Sequence, residues 1–302
     1  MKKIILFVGP PGSGKSTMAD GLLMDDGDHG MNTAYVNQDS QGKNGHMKKF
    51  EQALNEGKNI IVDRMGFNYE QRSRYLKPAK ELGYETEIRI LYVPYKVCLE
   101  RAIKRIETGH PTVTDEASAH SAVNFFFSKY DIVGQDEADQ IKRFYYGDSK
   151  HKPDAIVVDL DGTLCDIEHR RHFVRPEEGK KKDWKSFNEH IKYDTLNKWC
   201  KDIMESMRFN NSNLGIVLCS GRNENEKKQT VEWLAKHEII YGNLFMRHRQ
   251  DSRQDTVIKE IILDFEILTR YKPIFMIDDR DSVVAMWRKR GFTCLQCAPG
   301  DF

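Results

Sequence analysis

The apolar positions fall into short runs separated by longer, mixed stretches. In the first half, "KIILFV", "TAYVN", "NIIVD" and "ETEIRILYV" are compact and rich in Ile, Val and Tyr, which predicts four β-strands. Between them, Gly14 to Met24, "GHMKKFEQALNEG" ending at Gly57, and "NYEQRSRYLKPAKELG" space their apolar residues at the helical interval. The second half repeats the rhythm. "AIVVD", "LGIVLCS", "YKPIFMID" and "FTCLQC" are strand candidates, and "NEKKQTVEWLAKHE" and "DTVIKEIILDFEILTR" are helix candidates. Alternating strands and helices predict an α/β chain whose parallel sheets are covered on both faces. In each half the most chemical residues stand just after a strand, where open parallel sheets bind ligands.

"YGDSKHKPD", Tyr146 to Asp154, is polar and carries Gly and Pro between two patterned regions. It predicts two domains, 1–149 and 153–302, a reasonable division for 302 residues. No internal repeat or low-complexity tract interrupts them. Charged residues make up 31% and the hydrophobic set 39%, ordinary for a soluble globular protein. The net charge of +1 means that a nucleic-acid partner must be held by local basic patches. The opening apolar run is too short for a signal peptide and reads as the first strand. No stretch of about 18 apolar residues predicts a membrane span. The six scattered cysteines fit a reducing cytosol, so a cytoplasmic location is expected. Cys294 and Cys297 form a lone C-x-x-C, which reads as a buried strand or surface thiol against a redox or zinc role.

Gly9 to Ser16, "GPPGSGKS", fits G-x-x-x-x-G-K-S between a strand and a helix. Gly9, Gly12, Ser13 and Gly14 let backbone N–H groups turn inward around phosphates, and the helix that carries Thr17 adds positive potential. Lys15 reaches the β- and γ-phosphates of ATP, and the Ser16 hydroxyl suits Mg²⁺. Asp39, in "VNQDS", is a candidate base for an attacking hydroxyl, against a turn or helix-cap aspartate. Asp63, ending "NIIVD", is a candidate support for the metal or the loop. Arg101 and Arg105 share one helix face ahead of a stretch with Gly and Pro, Ile106 to Thr112. They are candidates to bind ATP and to neutralise the transferring phosphoryl group, against a solvated basic face.

The second half centres on "VVDLDGTL". Asp159 ends a strand and can attack phosphorus to form an aspartyl-phosphate. Asp161, two residues on, can protonate the leaving oxygen and then activate water, since one carboxylate cannot easily do both jobs. "VLCSGR" offers Ser220, Gly221 and Arg222 to phosphate oxygens. "DTVIK" offers Lys259 as a cation. "MIDDR" supplies Asp278 and Asp279, which with Asp159 and the neighbouring Asp161 make a hard-oxygen set suited to Mg²⁺.

On these residues the second half resembles phosphohydrolases of the haloacid-dehalogenase (HAD) type. The whole chain resembles the bifunctional polynucleotide kinase/3′-phosphatases of T-even bacteriophage, through "MKKIIL", the phosphate loop, "DGTL", "SGR", "IDDR" and the terminal "GDF". The resemblance implies an N-terminal P-loop kinase with a parallel sheet and a C-terminal HAD-like, Rossmannoid phosphatase. It implies ATP as donor, Mg²⁺ in both sites, and Asp39 as base for a 5′-hydroxyl. It assigns Arg101 and Arg105 to the lid side, Asp159 as nucleophile and Asp161 as general acid/base. Ser220, Arg222, Arg247, Lys259, Asp278 and Asp279 complete the second site, with Asp255 between Arg247 and Lys259. RNA or DNA ends, a separate ligase acting downstream and a homo-oligomer are the implied partners. A phage-encoded protein of this kind works in the host cytoplasm.

The chain departs from that pattern at Gly42, where the phage enzymes have an arginine that contacts the acceptor phosphate; Lys43 follows. "VNQDSQG" is closer to the animal members of the family. The basic segment Glu168 to Phe187, with Trp184 and Phe187, also differs. It reads either as a cap that steers a nucleic-acid end by charge and stacking or as a solvated insertion. Two other readings stand beside the first: a nucleoside or metabolite kinase fused to a nucleotidase-like phosphatase, and a chain with one non-catalytic module. The sequence leaves RNA versus DNA open.

Overall fold

The computed structural model describes residues 2–25, 32–107, 109, 113–148, 151–175 and 181–300. Parts of the expected lid (108 and 110–112), of the basic segment (176–180) and of the terminal "GDF" therefore lie outside the described residues. The chain forms two compact units, Met1–Asp148 and Ser149–Phe302. No helix among the described residues is long and apolar enough to cross a membrane.

The first unit is built on five parallel strands: β1 (Lys3–Val8), β2 (Thr33–Asn37), β3 (Asn59–Asp63), β4 (Glu85–Tyr92) and β5 (Gln140–Tyr145), in the order β2-β3-β1-β4-β5. Central β1 is apolar almost throughout because both faces are covered; Ile4, Leu6, Phe7 and Val8 are fully buried. The helices are α1 (Lys15–Asp25), α2 (Gln38–Asn55), α3 (Tyr69–Glu81), α4 (Tyr95–Lys104) and α5 (Glu116–Lys129). Helix α2 starts earlier than its apolar spacing predicts. The Asn37 side chain accepts the Ser40 N–H as an N-cap, and Gly42, at φ 74° and ψ 171°, breaks the helix before the periodic stretch resumes. Strand β5 escaped the pattern because it is an edge strand with no buried residue, "QIKRFY".

The second unit repeats the design. Strands β6 (Asp154–Val158), β9 (Gly215–Asn223), β10 (Asn243–Arg247), β11 (Lys272–Asp278) and β12 (Cys294–Gln296) form a parallel sheet in the order β10-β9-β6-β11-β12. Alternate residues of β6 enter two cores. Ile156 and Val158 join Leu218 and Trp233, while Ala155 and Val157 join Met276 and Trp287. A short antiparallel pair, β7 (Cys165–Asp166) with β8 (Thr195–Leu196), brackets the inserted segment that carries α6 (Glu168–Arg171) and α7 (Trp184–Glu189). The remaining helices are α8 (Lys198–Asn210), α9 (Lys227–Lys236), α10 (Asp255–Ile262) and α11 (Asp281–Lys289). The apolar stretch after α10 continues as a π-helical turn, Leu263–Ile267, rather than as one α-helix. All six cysteines are free thiols; Cys294 is buried on β12, and the Cys297 Sγ lies 3.5 Å from the Thr163 hydroxyl.

Candidate catalytic sites of the two units

In the first unit the loop between β1 and α1 wraps a short cradle. Gly12 and Gly14 take left-handed backbone conformations, φ 82° and 96°. A Cβ on Gly12 would stand 2.4 Å from the Cys98 carbonyl oxygen, so only glycine lets the loop lie against α4. The Arg101 guanidinium, also on α4, donates to the Gly12 carbonyl at 3.2 Å. Lys15 folds over the loop, and its Nζ donates to the carbonyls of Gly9 and Pro10, each at 2.9 Å. Burial lowers the Lys15 pKa, against the pull of Asp63. Asp39 and Arg105 are near enough to bias the charge of Lys15.

Asp63 sits at the tip of β3, one strand over from β1. The Ser16 hydroxyl donates to its Oδ2 at 2.7 Å, and Tyr35 and the Asn37 amide donate to the same oxygen at 2.7 and 2.9 Å. The Ser16 hydroxyl and the Asp63 carboxylate are thus side by side. Asp39 stands just past the end of β2, which stops at Asn37, and lies exposed in the first turn of α2. Arg64, which the sequence did not single out, follows Asp63; it donates to the His46 ring at 2.9 Å and to the Tyr75 hydroxyl at 3.3 Å.

In the second unit Asp159 extends β6 by one residue, its N–H donating to Ile277 on β11 at 3.0 Å. Asp159, Asp278 and Asp279 are buried, and one carboxylate oxygen from each lies within 4.8 Å of the others. The Lys259 ammonium, delivered by α10, donates to Asp159 at 2.7 Å and to Asp278 at 2.9 Å. Trp287 adds an N–H to Asp278 at 3.2 Å. Burial raises the Asp159 pKa; Lys259 opposes that, and Asp278 adds to it. Burial, then Asp278, pushes Asp279 up to about 7. Among the described residues, the Asp279 Oδ2 is buried without a hydrogen-bond partner. Three crowded carboxylates, one of them carrying an orphan oxygen, fit a hard divalent cation such as Mg²⁺.

Gly162 (φ 89°) makes the turn after Asp161; a Cβ there would lie 2.1 Å from Asp279 Oδ2. Gly221 faces the same demand, with a Cβ 2.0 Å from Asp255. Ser220 is buried and its hydroxyl accepts the Arg222 N–H at 3.1 Å. Arg247, at the tip of β10, donates to the Gly221 carbonyl at 2.8 Å and lies 3.4 Å from Asp255.

The expectation that the Asp161 carboxylate joins the metal set is not met. It receives the guanidinium of Arg222 and an N–H of Arg170, at distances down to 2.5 Å, and stands outside the trio. Burial alone would raise its pKa, but Arg222 and Arg170 hold it well below the usual carboxylate range. Both arginines also bind Asp194, at 2.6 and 2.8 Å. Arg170 and Asp194 are nearly fully buried and come from the inserted segment. Sequence reading missed Arg170 because "EHRRH" has the composition of a solvated basic surface, and Asp194 because a lone aspartate in "KYDTL" carries no motif. The site opens into a cavity of about 750 Å³ whose wall includes Asp159, Arg222, Lys259 and, from the insertion, Trp184.

Each unit thus gathers its chemically capable side chains at the tips of a parallel sheet, one around a glycine-rich loop and one around an aspartate-centred acidic cluster. Residues 153–302 match the family described as the polynucleotide kinase PNKP phosphatase domain, and residues 4–126 match the AAA domain family. The chain is 25% identical to a protein of Autographa californica nuclear polyhedrosis virus described as a bifunctional polynucleotide kinase/RNA ligase, over 95% of this chain and 41% of that one. It is 26% identical to a bifunctional polynucleotide phosphatase/kinase of Acanthamoeba polyphaga mimivirus, over 43% of this chain and 31% of that one. The chain thus spans less than half the length of these curated relatives. Among solved structures it is similar to a chain of the Pnkp1/Rnl/Hen1 RNA repair complex, with 23% identity, a TM-score of 0.41, and coverage of 100% of this chain and 97% of that one.

Proposed function

We propose that the chain heals broken nucleic-acid ends: the first unit moves the ATP γ-phosphate to a 5′-hydroxyl, and the second hydrolyses a 3′-phosphate. The observation that carries this reading is the buried Asp159 carboxylate, aimed into a cavity and flanked by Lys259 and two further aspartates. The family match of that unit agrees with it.

In the first unit the loop amides and Lys15 bind the ATP phosphates, Lys15 exchanging the Gly9 and Pro10 carbonyls for phosphate oxygens. Asp39 takes the proton of the 5′-hydroxyl as its oxygen attacks the γ-phosphorus, and Arg101 and Arg105 offset the charge. In the second unit an Asp159 oxygen attacks the 3′-phosphorus, the bond to the 3′-oxygen breaks, and Asp161 gives that oxygen a proton. Asp161 then takes a proton from water, which cleaves the aspartyl-phosphate and releases inorganic phosphate. For the first step Asp161 must be protonated, which requires Arg222 to turn from it toward the incoming phosphate. Lys259 and Arg222 neutralise the phosphoryl oxygens, with Ser220, Gly221 and Arg247 shaping their seat. Asp159, Asp278 and Asp279 in one site, and Ser16 and Asp63 in the other, would hold Mg²⁺, which would supply charge that lets anions approach one another.

The products, 5′-phosphate and 3′-hydroxyl ends, are what a ligase consumes. The reaction suits a cytoplasmic setting that supplies ATP, and a homo-oligomer is part of the proposal. Separable variants test it on matched RNA and DNA oligonucleotides. Asp39→Ala is expected to lower 5′-kinase activity at least ~100-fold and spare the 3′-phosphatase, and Asp159→Asn to do the reverse. The assignment fails if Asp39→Ala instead abolishes the phosphatase. It also fails if phosphate from ATP reaches free nucleosides and never an oligonucleotide.

A further inference from the structure

The insertion places one aromatic side chain where the phosphatase chemistry has no use for it. Trp184 opens α7, lines the cavity that contains Asp159, and yet remains 52% exposed. Its neighbour Phe187, one helical turn on, is buried. The two rings meet edge to face, with centroids 5.8 Å apart and planes at 87°. Phe187 in turn lies under the Arg170 guanidinium, 4.0 Å from its centroid, and its carbonyl accepts from Arg170 at 3.4 Å. Arg170 holds Asp161. The indole is therefore not on a free surface: one edge contact and one arginine tie it to the site. The turn that presents it is fixed as well, since Asp183 accepts both the N–H and the hydroxyl of Ser186, at 3.0 and 2.7 Å.

We infer that Trp184 is a stacking platform for the base of the 3′-terminal nucleotide. This deepens the proposed 3′-phosphatase reading and rests on it. A cavity of about 750 Å³ is far larger than a phosphate needs and falls in the range that accommodates a nucleotide. With the phosphate at Asp159, sugar and base extend outward along the cavity wall. An exposed indole on that wall offers a flat π-face to any base, whereas hydrogen-bond readers would select one. Sequence tolerance is what an enzyme acting on arbitrary broken ends requires. Lys182, whose ammonium lies 5.6 Å from the indole centroid, adds a cation beside the platform.

The test compares two 3′-phosphorylated oligonucleotides, one with a natural terminal base and one whose terminal residue is abasic, released phosphate being measured. The native protein is expected to show a KM lower by about 5- to 150-fold for the base-bearing end, the span of one base–aromatic stack. Trp184→Ala should abolish that preference by raising KM for the base-bearing end alone, and Trp184→Phe should restore most of it. Trp199→Ala, a comparably exposed tryptophan on α8 outside the cavity wall, should leave the preference as in the native protein. Equal KM values of the native protein for the two oligonucleotides overturn the inference and leave the phosphatase assignment standing. So does a Trp184→Ala loss that is the same on both substrates. Failure of the native protein to release phosphate from either overturns both readings at once.

Discussion

Lys259→Met is the most informative single change in the second unit. The methionine keeps the length and apolar bulk of the lysine stem and removes only the ammonium. Lys259 is 1% exposed, and its ammonium lies 2.7 Å from Asp159 and 2.9 Å from Asp278. At an effective dielectric of ~20 each contact carries about 6 kcal/mol of Coulomb attraction. Desolvation of the buried charges takes back much of it, and breaking such a pair from one side costs about 3–5 kcal/mol net. The variant is expected to unfold at lower urea, and Mg²⁺ or mild acid should return part of the loss by neutralising the stranded carboxylates. Its 3′-phosphatase rate should drop ~10²- to 10³-fold, as for loss of one preorganised charge at a reaction centre. The assays are urea unfolding with and without Mg²⁺, and phosphate release from a 3′-phosphorylated oligonucleotide. The 5′-kinase activity of the same preparation controls for folding. Unchanged urea stability together with phosphatase activity within about threefold of the native value would refute the electrostatic argument.

Two further expectations come from backbone geometry and from titration. Gly162→Ala puts a Cβ 2.1 Å from the Asp279 Oδ2 in a left-handed conformation; it should cost about 1–3 kcal/mol by thermal unfolding and at least ~10-fold in phosphatase rate, and a neutral result in both assays counts against the tight turn. Glu87 in the first unit is buried, which alone would raise its pKa, but Lys3, Arg89 and Lys142 hold it down to about 2 from an ordinary 4.5. A depressed carboxylate stabilises the fold fully above pH 4.5 and loses that contribution as pH falls toward 2. Solvent around the partly exposed Lys3 and Lys142 screens the pairs, so the loss is about 1–2 kcal/mol. Glu87→Gln should flatten the acid limb of the stability–pH curve, and an unchanged limb argues against the cluster.

Local features were legible from the chain alone. The phosphate loop announces itself because glycines at fixed offsets are the only residues that allow Gly12 to lie against α4 and Gly14 to turn into α1. The central strands announce themselves because burial on both faces demands unbroken apolar runs. The aspartates at the tips of β6 and β11 could be named from their position after such runs. The edge strands β5 and β10 were not recognised: β5 is largely polar and β10 has only five residues, one of them buried, since an edge strand has no need of a long apolar run.

Which charges are buried together was decided only in three dimensions. Arg170 and Asp194 are 24 residues apart, Arg222 and Asp161 are 61, and Lys259 and Asp159 are 100. In the sequence Asp159 and Asp161 are told apart only by their order along the chain and by the resemblance. In the fold Asp159 faces a lysine and two aspartates, whereas Asp161 faces two arginines, and their proton affinities move in opposite directions. Amino-acid order set where the carboxylates could stand, at the ends of strands. The tertiary structure gave each one its surroundings and proton affinity, because a charge removed from water takes its properties from the groups packed beside it.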